Sequence, residues 1–245
     1  MRFLKFFLIL VCFLIVSGQV SAQPKSAFSV LSFNTSALMP GDERLRDVAG
    51  LVIKEDADFV YLTEEYTSDL EGLMGPDSGH YAFCAGARSH VDVTERFFSR
   101  YPIADVTEVG VGENGDTWVH RVRVVPSAGD TLSVYCCHLP HEVDERVRIV
   151  RALGAAMDGS PERTVVAGDM NSLVLSRPML MLRELGLGNA WDEVGSGRSA
   201  TFYLYGIGIR IDHIWHSPDL RPVAARVVPA SGLSDHNALL AEFAR

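Results

Sequence analysis

The chain has 245 residues, a formal net charge of −9 and 47% hydrophobic residues. This length can bury one large core as a single α/β or β-rich domain, and no repeat, low-complexity tract or long linker divides it. The acidic balance argues against a protein whose main task is to grip a nucleic acid backbone, because such binding depends on contacts between cations and phosphates.

The first 22 residues have the pattern of an export signal. Arg2 and Lys5 precede an apolar run from Phe6 to Val16, and Val20-Ser21-Ala22 is a cleavage site of small residues. We therefore expect a signal peptide over 1–22, a mature domain over 23–245, and a periplasmic or secreted location. The alternative is a retained N-terminal anchor, although the run is too short to span a bilayer comfortably.

Three cysteines remain after the signal, namely Cys84, Cys136 and Cys137. Their odd number and the adjacent pair exclude a disulfide scaffold. One bridge from Cys84 to either neighbour stays open, and small buried thiols are the alternative for the pair.

The remaining elements are read from apolar periodicity in chain order. Helical spacing predicts three helices: Leu45 to Ile53, Val143 to Met157, and Met179 to Leu185. Apolar runs predict strands at Ala27–Phe33, Asp58–Thr63, His80–Cys84, Arg96–Ser99, Ile103–Glu108, Trp118–Val125, Leu132–Cys137, Thr164–Gly168, Ile211–Trp215, Val223–Val228 and Ala238–Phe243. Most of these strands are apolar on both faces, which indicates two sheets packed together with helices outside.

Short polar clusters stand at the ends of several of these runs. They are SFN (32–34), TE (63–64), CHLPH (137–141), GDMNS (168–172), RIDHIW (210–215) and SDHNAL (234–239). Together they supply oxygen ligands for a hard cation, a carboxylate base and imidazoles. That set of groups suits the hydrolysis of a phosphate ester.

This ordered set, with SRYPI at 99–103, resembles the endonuclease/exonuclease/phosphatase superfamily, and the matches span Ser32 to Leu239. The resemblance implies an α/β (α+β) fold, a four-layer α/β/β/α sandwich of two packed mixed sheets with flanking helices. It also implies an active site at one rim of the sandwich.

The resemblance implies a metal site for Mg²⁺, or alternatively Mn²⁺. Glu64 is its principal ligand, Asn34 sits beside the ion, and Asp235 is a candidate second contact. Taken alone, Glu64 would be an ordinary acid at a loop entry and Asn34 a turn residue.

The resemblance also assigns catalytic roles to five residues. Asp169 orients or deprotonates the attacking water, and Asn171 hydrogen-bonds the nucleophile or the phosphate. His236 faces the scissile phosphate and is oriented by Asp212, while His138 acts as general acid or binds phosphate.

Three further features lie outside these assigned roles. His213 follows the family aspartate and is expected to be a packed ring. The aromatic segment 202–208 either overhangs the substrate cleft or forms a hairpin with its aromatics packed inward, and burial statistics favour the second. Six arginines can line a local phosphate-attracting cleft: Arg88, Arg96, Arg100, Arg121, Arg123 and Arg198.

The expected function is therefore an exported Mg²⁺-dependent phosphoesterase acting on a phosphodiester or phosphomonoester. The substrate can be a small molecule, a lipid head group or a nucleic acid, and the acidic charge favours a small one. A secreted nuclease and a sphingomyelinase-like phospholipase are the alternatives within this class. A non-catalytic binding protein on the same scaffold is the alternative outside it.

Overall fold

The computed structural model describes residues 26–88, 94–112, 115–158 and 161–244. The predicted export signal at 1–22 lies outside these residues. Among the helices that are described, none has the length and apolar character needed to cross a membrane.

Seven strands form the first sheet, and β1 and β2 lie at its centre as a parallel pair. Other neighbours in the sheet are antiparallel apart from β10 and β14, so the sheet is mixed. In spatial order the strands are β10 (Gly195–Ser196), β14 (Pro222–Val228), β15 (Ala238–Ala244), β1 (Ser26–Leu38), β2 (Phe59–Glu65), β4 (Thr94–Ser99) and β3 (Phe83–Arg88).

Six strands form the second sheet, in which β7 and β8 are the parallel pair. In spatial order they are β5 (Ile103–Val111), β6 (Thr117–Ser127), β7 (Asp130–His138), β8 (Thr164–Asp169), β13 (Asp212–His216) and β9 (Gly188–Asn189). A separate hairpin is made by β11 (Phe202–Leu204) and β12 (Ile207–Ile209).

Helices cover the outer face of each sheet. On the first sheet lie α1 (Leu45–Glu55) and α2 (Asp69–Met74), and on the second lie α3 (Val143–Ala156) and α4 (Arg177–Glu184). The short helix α5 (Ala190–Val194) packs beside β13 and β14. Helix α1 forms because its apolar residues recur at helical spacing, which buries Leu45, Val48, Ala49 and Val52 on one face.

Three clusters of buried apolar side chains fill the spaces between these layers. Phe59 and Tyr61 of the first sheet pack against Val122 and Val134 of the second, and both sheets also bury their outer faces under helices. Burying apolar side chains on both faces is what stabilises a sheet of this kind. The four-layer α/β/β/α sandwich of two mixed sheets is thus confirmed.

The structure corrects the predicted elements in three places. The strand predicted at His80–Cys84 begins later, at Phe83, and the glycine-rich stretch before it contains the unpredicted helix α2. Val143 begins α3 but is 53% exposed, so it is not part of the buried face of that helix. Strand β1 continues past Phe33 to Leu38, because an irregularity after Asn34 lets the pairing with β2 resume.

Candidate active site

Strand register brings three of the predicted residues together in the second sheet. His138 at the end of β7 pairs with Asp169 at the end of β8, and Asp169 pairs with Asp212 at the start of β13. Cys136, Ala167 and Ile214 pack between the two sheets, and each lies two residues from one of these three site residues on the same strand. Because residues two apart share a face of a strand, the three site side chains point to the inner face of the sheet as well. All three are nearly fully buried.

Close packing of β7 and β8 at this point depends on Gly168. Its φ is +144°, and a Cβ placed there would lie 1.8 Å from the carbonyl oxygen of Cys137. Glycine is therefore required for the strands to pair just before His138 and Asp169.

The first sheet contributes Glu64 through a break in strand geometry. Val60 and Leu62 pack under the helices, so regular alternation would place Glu64 on that outer face as well. Glu64 instead has φ +56°, and its carboxylate reaches the rim beside Asn34 and His138. A non-glycine residue in this region costs on the order of 1–3 kcal/mol, and such strain concentrates at functional sites.

One amide links the two halves of the site. Nδ2 of Asn34 donates to Oε1 of Glu64 at 3.0 Å and to Oδ2 of Asp169 at 3.1 Å. Nε2 of His138 lies 3.7 Å from the same Glu64 oxygen. Residues from four strands and both sheets therefore meet around two carboxylates.

Backbone N–H groups complete this half of the site. Ser36 and Ala37 both have positive φ, of 54° and 52°. Their N–H groups donate to Oδ1 of Asn34 at 2.9 Å and to Oε2 of Glu64 at 3.1 Å. The amide oxygen of Asn34 thus faces the backbone, while its nitrogen faces the carboxylates. Asn34 therefore fixes the position of Glu64. The role of Asn34 as a direct metal ligand stays a prediction.

His236 and Asp212 form a buried pair. Nδ1 of His236 donates to Oδ2 of Asp212 at 2.9 Å, and Nε2 of the same ring lies 3.8 Å from Oδ2 of Asp169. Burial alone would lower the pKa of His236, but the charges of Asp212, Asp169 and Asp235 raise that pKa to about 9. Burial raises the pKa of Asp212 to about 6 despite the neighbouring imidazole. Attraction between the two groups favours Asp212 as a carboxylate and His236 as an imidazolium.

Asn171 holds the turn that follows β8. Its N–H donates to Oδ1 of Asp169 at 2.8 Å, and its side-chain Nδ2 donates to the carbonyl of Leu139 at 2.8 Å. The backbone of Asn171 has φ +45°, a conformation that asparagine tolerates better than most residues. Asn171 therefore lies beside the Asp169 carboxylate, as expected from the Gly-Asp-x-Asn spacing.

Asp235 lies at the edge of this group. It is exposed, and its charge acts on His236 and on Arg44. The structure does not bring it together with Glu64 through any contact among the described residues, and its role as a second metal contact stays a prediction.

His213 is a buried structural ring. One ring nitrogen lies 2.8 Å from the carbonyl of Ser172 and the other lies 3.3 Å from Nδ2 of Asn189, so the neutral form donates to the first and accepts from the second. Burial lowers its pKa to about 4. The packed-ring interpretation of His213 agrees with this environment.

The aromatic segment differs from the expectation of an inward-packed hairpin. Only Phe202 packs inward, with its ring 4.8 Å from that of His236. Tyr203, Leu204, Tyr205 and Ile207 are exposed at the hairpin tip, Tyr205 by 96%. A hairpin of only two strands has too few neighbouring side chains to bury both of its faces.

Four of the six arginines expected to line a phosphate-attracting cleft are paired with carboxylates. Arg96 pairs with Glu65 and Glu71, Arg100 pairs with Asp56, and Arg121 and Arg123 both pair with Asp105. These cations are neutralised by neighbouring carboxylates.

Sequence reasoning missed two residues of the site. Arg146, in the first turn of α3, donates to the carbonyl of Asn171, and its charge acts on Asp169. Thr201 is fully buried, and its hydroxyl accepts the N–H groups of Ile211 and Asp212, both at 3.1 Å. No local pattern marks either residue, because each reaches the site only through tertiary packing.

The donor set fits a hard divalent cation. Ligand atoms of Asp169, Asp212 and His236 lie within 4.8 Å of one another, but an imidazolium at His236 is a poor metal ligand. The carboxylate of Glu64 is 29% exposed and lines an open cleft together with His138 and Asn171. Glu64 and Asp169 share one neutral amide, and the imidazolium of His236 lies 3.8 Å from Asp169, so a metal ion is favoured on the Glu64 side.

Comparison with known proteins agrees with this geometry. The model of the Endonuclease/Exonuclease/phosphatase family matches residues 31–236, so the chain belongs to that family. It is accordingly a phosphoric ester hydrolase of a metal-dependent family. A search of curated proteins found no match.

Several solved structures share the fold. A family protein from Bacteroides thetaiotaomicron has a TM-score of 0.75 at 18% identity, covering 91% of this chain and 98% of its own. A mannosyl-6-phosphatase from the same organism has a TM-score of 0.74 at 17% identity, covering 89% and 100%. A 3′ phosphatase from Neisseria, bound to a product DNA hairpin, has a TM-score of 0.70 at 17% identity, covering 89% and 100%.

Proposed function

We propose that this protein is an exported, Mg²⁺-dependent phosphoesterase that hydrolyses a small phosphodiester or phosphomonoester. The observation that carries the proposal is the meeting of Glu64, Asp169 and the His236–Asp212 pair at one rim. Carboxylate oxygens are the ligands that Mg²⁺ prefers, and Mn²⁺ accepts the same set.

Each residue has a role that its contacts support. Asp169 takes a proton from the attacking water, and the Asn171 turn fixes that carboxylate through the N–H bond to its Oδ1. The imidazolium of His236, held by Asp212, offsets negative charge on a phosphate oxygen. His138 lies on the Glu64 side and protonates the leaving oxygen. When bound, the metal on Glu64 supplies charge stabilisation to the phosphate.

Purified protein assayed with a substrate panel tests the proposal. Bis-(p-nitrophenyl) phosphate, plasmid DNA, RNA, sphingomyelin, inositol phosphates and sugar phosphates are each incubated with Mg²⁺ or with EDTA. Turnover of a small ester that EDTA abolishes is expected, and Asp169→Asn lowers it by about 10²–10⁴-fold, the contribution of a general base. Absence of turnover on every substrate, or a fully active Asp169→Asn variant, would refute the proposal, whereas preference for DNA or sphingomyelin would replace the small ester by those substrates.

Export is part of the proposal and rests on the sequence of residues 1–22. Expression in a Gram-negative host followed by mass spectrometry of the periplasmic fraction measures the mature N-terminus. Cleavage after Ala22 is expected. A full-length chain in the membrane fraction would indicate the retained anchor instead.

A further inference from the structure

A small cleft opens directly beside the candidate catalytic atoms. Glu64, His138 and Asn171 line one side of it. Leu139 lines the remainder together with Tyr66, Trp118, Pro140 and His141, and we call the last four residues the ring wall. If the phosphate of a substrate lies at the candidate catalytic residues, the group bonded to that phosphate therefore contacts cyclic side chains.

The ring wall is held in place by the strands that build the site. Tyr66 follows Glu65 at the end of β2, and its N–H donates to the carbonyl of Leu38 at 2.9 Å. Trp118 lies in β6 and is 9% exposed, with its indole edge-on to the ring of His138 at 6.3 Å. The position of the wall relative to His138 is thus fixed before any substrate arrives, which lowers the entropic cost of binding a rigid ring.

The size of the cleft limits what it can accept. Its volume is about 160 Å³. Sites for drug-sized ligands typically occupy about 300–1,000 Å³, so this cleft suits a fragment of one ring. A dinucleotide or a lipid with its acyl chains would extend beyond it.

The pairing of the arginines in the described part of the chain also argues against a polymer. Arg96, Arg121 and Arg123 are paired with carboxylates, and Arg146 donates to the backbone of Asn171. A polyanionic strand would need a row of cations with no such partners. A single phosphate needs only the groups already at the catalytic rim.

We propose that the alcohol portion of the substrate is a single ring of about the size of a monosaccharide, which packs against Tyr66 and Trp118 of the ring wall. This proposal rests on the proposed phosphoesterase function. In the reaction, water forms a new bond to phosphorus and gives a proton to Asp169. The bond from phosphorus to the ring alcohol breaks, and the leaving oxygen takes a proton from His138. His141, exposed at the mouth, is placed to contact hydroxyl groups of the ring.

A comparison of a cyclic and an acyclic substrate tests this proposal. The value of kcat/KM is measured with a hexose 6-phosphate and with glycerol 3-phosphate for the parent, Tyr66→Ala, Tyr66→Phe and Tyr205→Ala. Tyr205 is a matched control, because it is a tyrosine that is 96% exposed on the hairpin and outside the ring wall. Circular dichroism and urea unfolding establish that each variant is folded.

The parent is expected to favour the hexose phosphate. Tyr66→Ala is expected to lower the ratio of the two kcat/KM values by about two- to tenfold, the size of one aromatic contact. Tyr66→Phe keeps the ring and should retain most of the ratio, and Tyr205→Ala should retain all of it.

The two proposals fail in different ways. If the parent hydrolyses neither substrate nor any other phosphate ester, the proposed function is wrong and this inference with it. If hydrolysis occurs but the ratio is the same in the parent and in Tyr66→Ala, only the ring wall proposal is wrong. A parent that prefers a DNA oligonucleotide to the hexose phosphate overturns it as well. If Tyr66→Ala does not fold, Tyr66→Leu, which removes the aromatic ring but keeps an apolar side chain of similar reach, replaces it in the same comparison.

Discussion

Replacing Gly168 with alanine should separate the paired strands that carry His138 and Asp169. The added Cβ would lie 1.8 Å from the carbonyl oxygen of Cys137, whereas a carbon and an oxygen in contact stay about 3.3 Å apart. Strands β7 and β8 must therefore move apart by roughly 1.5 Å at this point, since the obstacle is backbone and not a flexible side chain.

The expected loss of stability can be estimated from three contributions. Overpacking costs about 1–3 kcal/mol, a weakened ladder hydrogen bond costs about 1 kcal/mol, and a φ of +144° on alanine adds about 1–2 kcal/mol. Because the contributions overlap, we expect the free energy of unfolding to fall by about 4 kcal/mol. We also expect most hydrolysis to be lost, since the next residue pair in the ladder is His138 and Asp169.

Urea unfolding followed by circular dichroism measures this loss, and Gly186→Ala is the matched control. Gly186 also has positive φ, at +84°, but nothing lies within 4 Å of an added Cβ. Only backbone strain is changed there, so a loss of about 1 kcal/mol is expected. Equal losses in the two variants would show that close strand packing at Gly168 is not what requires glycine.

Three further predictions concern the pair at the site, its support and the thiols. Asp212→Asn should lower the pKa of His236 from about 9, because burial is then opposed only by the charges of Asp169 and Asp235; NMR titration of the metal-free protein measures it. Thr201→Val should lower the free energy of unfolding by about 1–3 kcal/mol and reduce hydrolysis, because two buried N–H groups lose their acceptor, whereas Thr201→Ser should retain both; urea unfolding and bis-(p-nitrophenyl) phosphate assays measure this. Cys84 and the two buried cysteines are free thiols, so dithiothreitol should leave the melting temperature unchanged and a denatured-thiol assay of the exported protein should count three.

Each of these has a defined contrary result. A pKa of His236 that stays near 9 in Asp212→Asn, or that falls as far in the exposed-site variant Asp235→Asn, would contradict the dominant role of Asp212. Wild-type stability and activity in Thr201→Val would show that its hydroxyl does not support the site. A melting temperature that dithiothreitol lowers would show that a disulfide forms in the exported protein.

The layers of the fold follow from local patterns. Apolar periodicity is sufficient to predict the helices α1, α3 and α4 and every strand of the two sheets except the two-residue strands β9 and β10, because burial on one face or two leaves its period in the sequence. The helix α2 was missed because its six residues are too few to show a period. The sequence does not predict that the aromatic side chains at the hairpin tip are exposed, because burial of an aromatic side chain depends on which other residues pack over it.

The sequence by itself determined which chemical groups the site contains, because the ordered motifs around Glu64, Asp169 and His236 were readable without coordinates. Tertiary structure alone decided how they are arranged. The left-handed backbone at Glu64 turns its carboxylate to the rim, and Thr201 and Arg146 enter from segments that no motif marks. Such contacts join residues far apart in the chain, so their geometry depends on sheet register and on packing between layers, which local sequence does not encode.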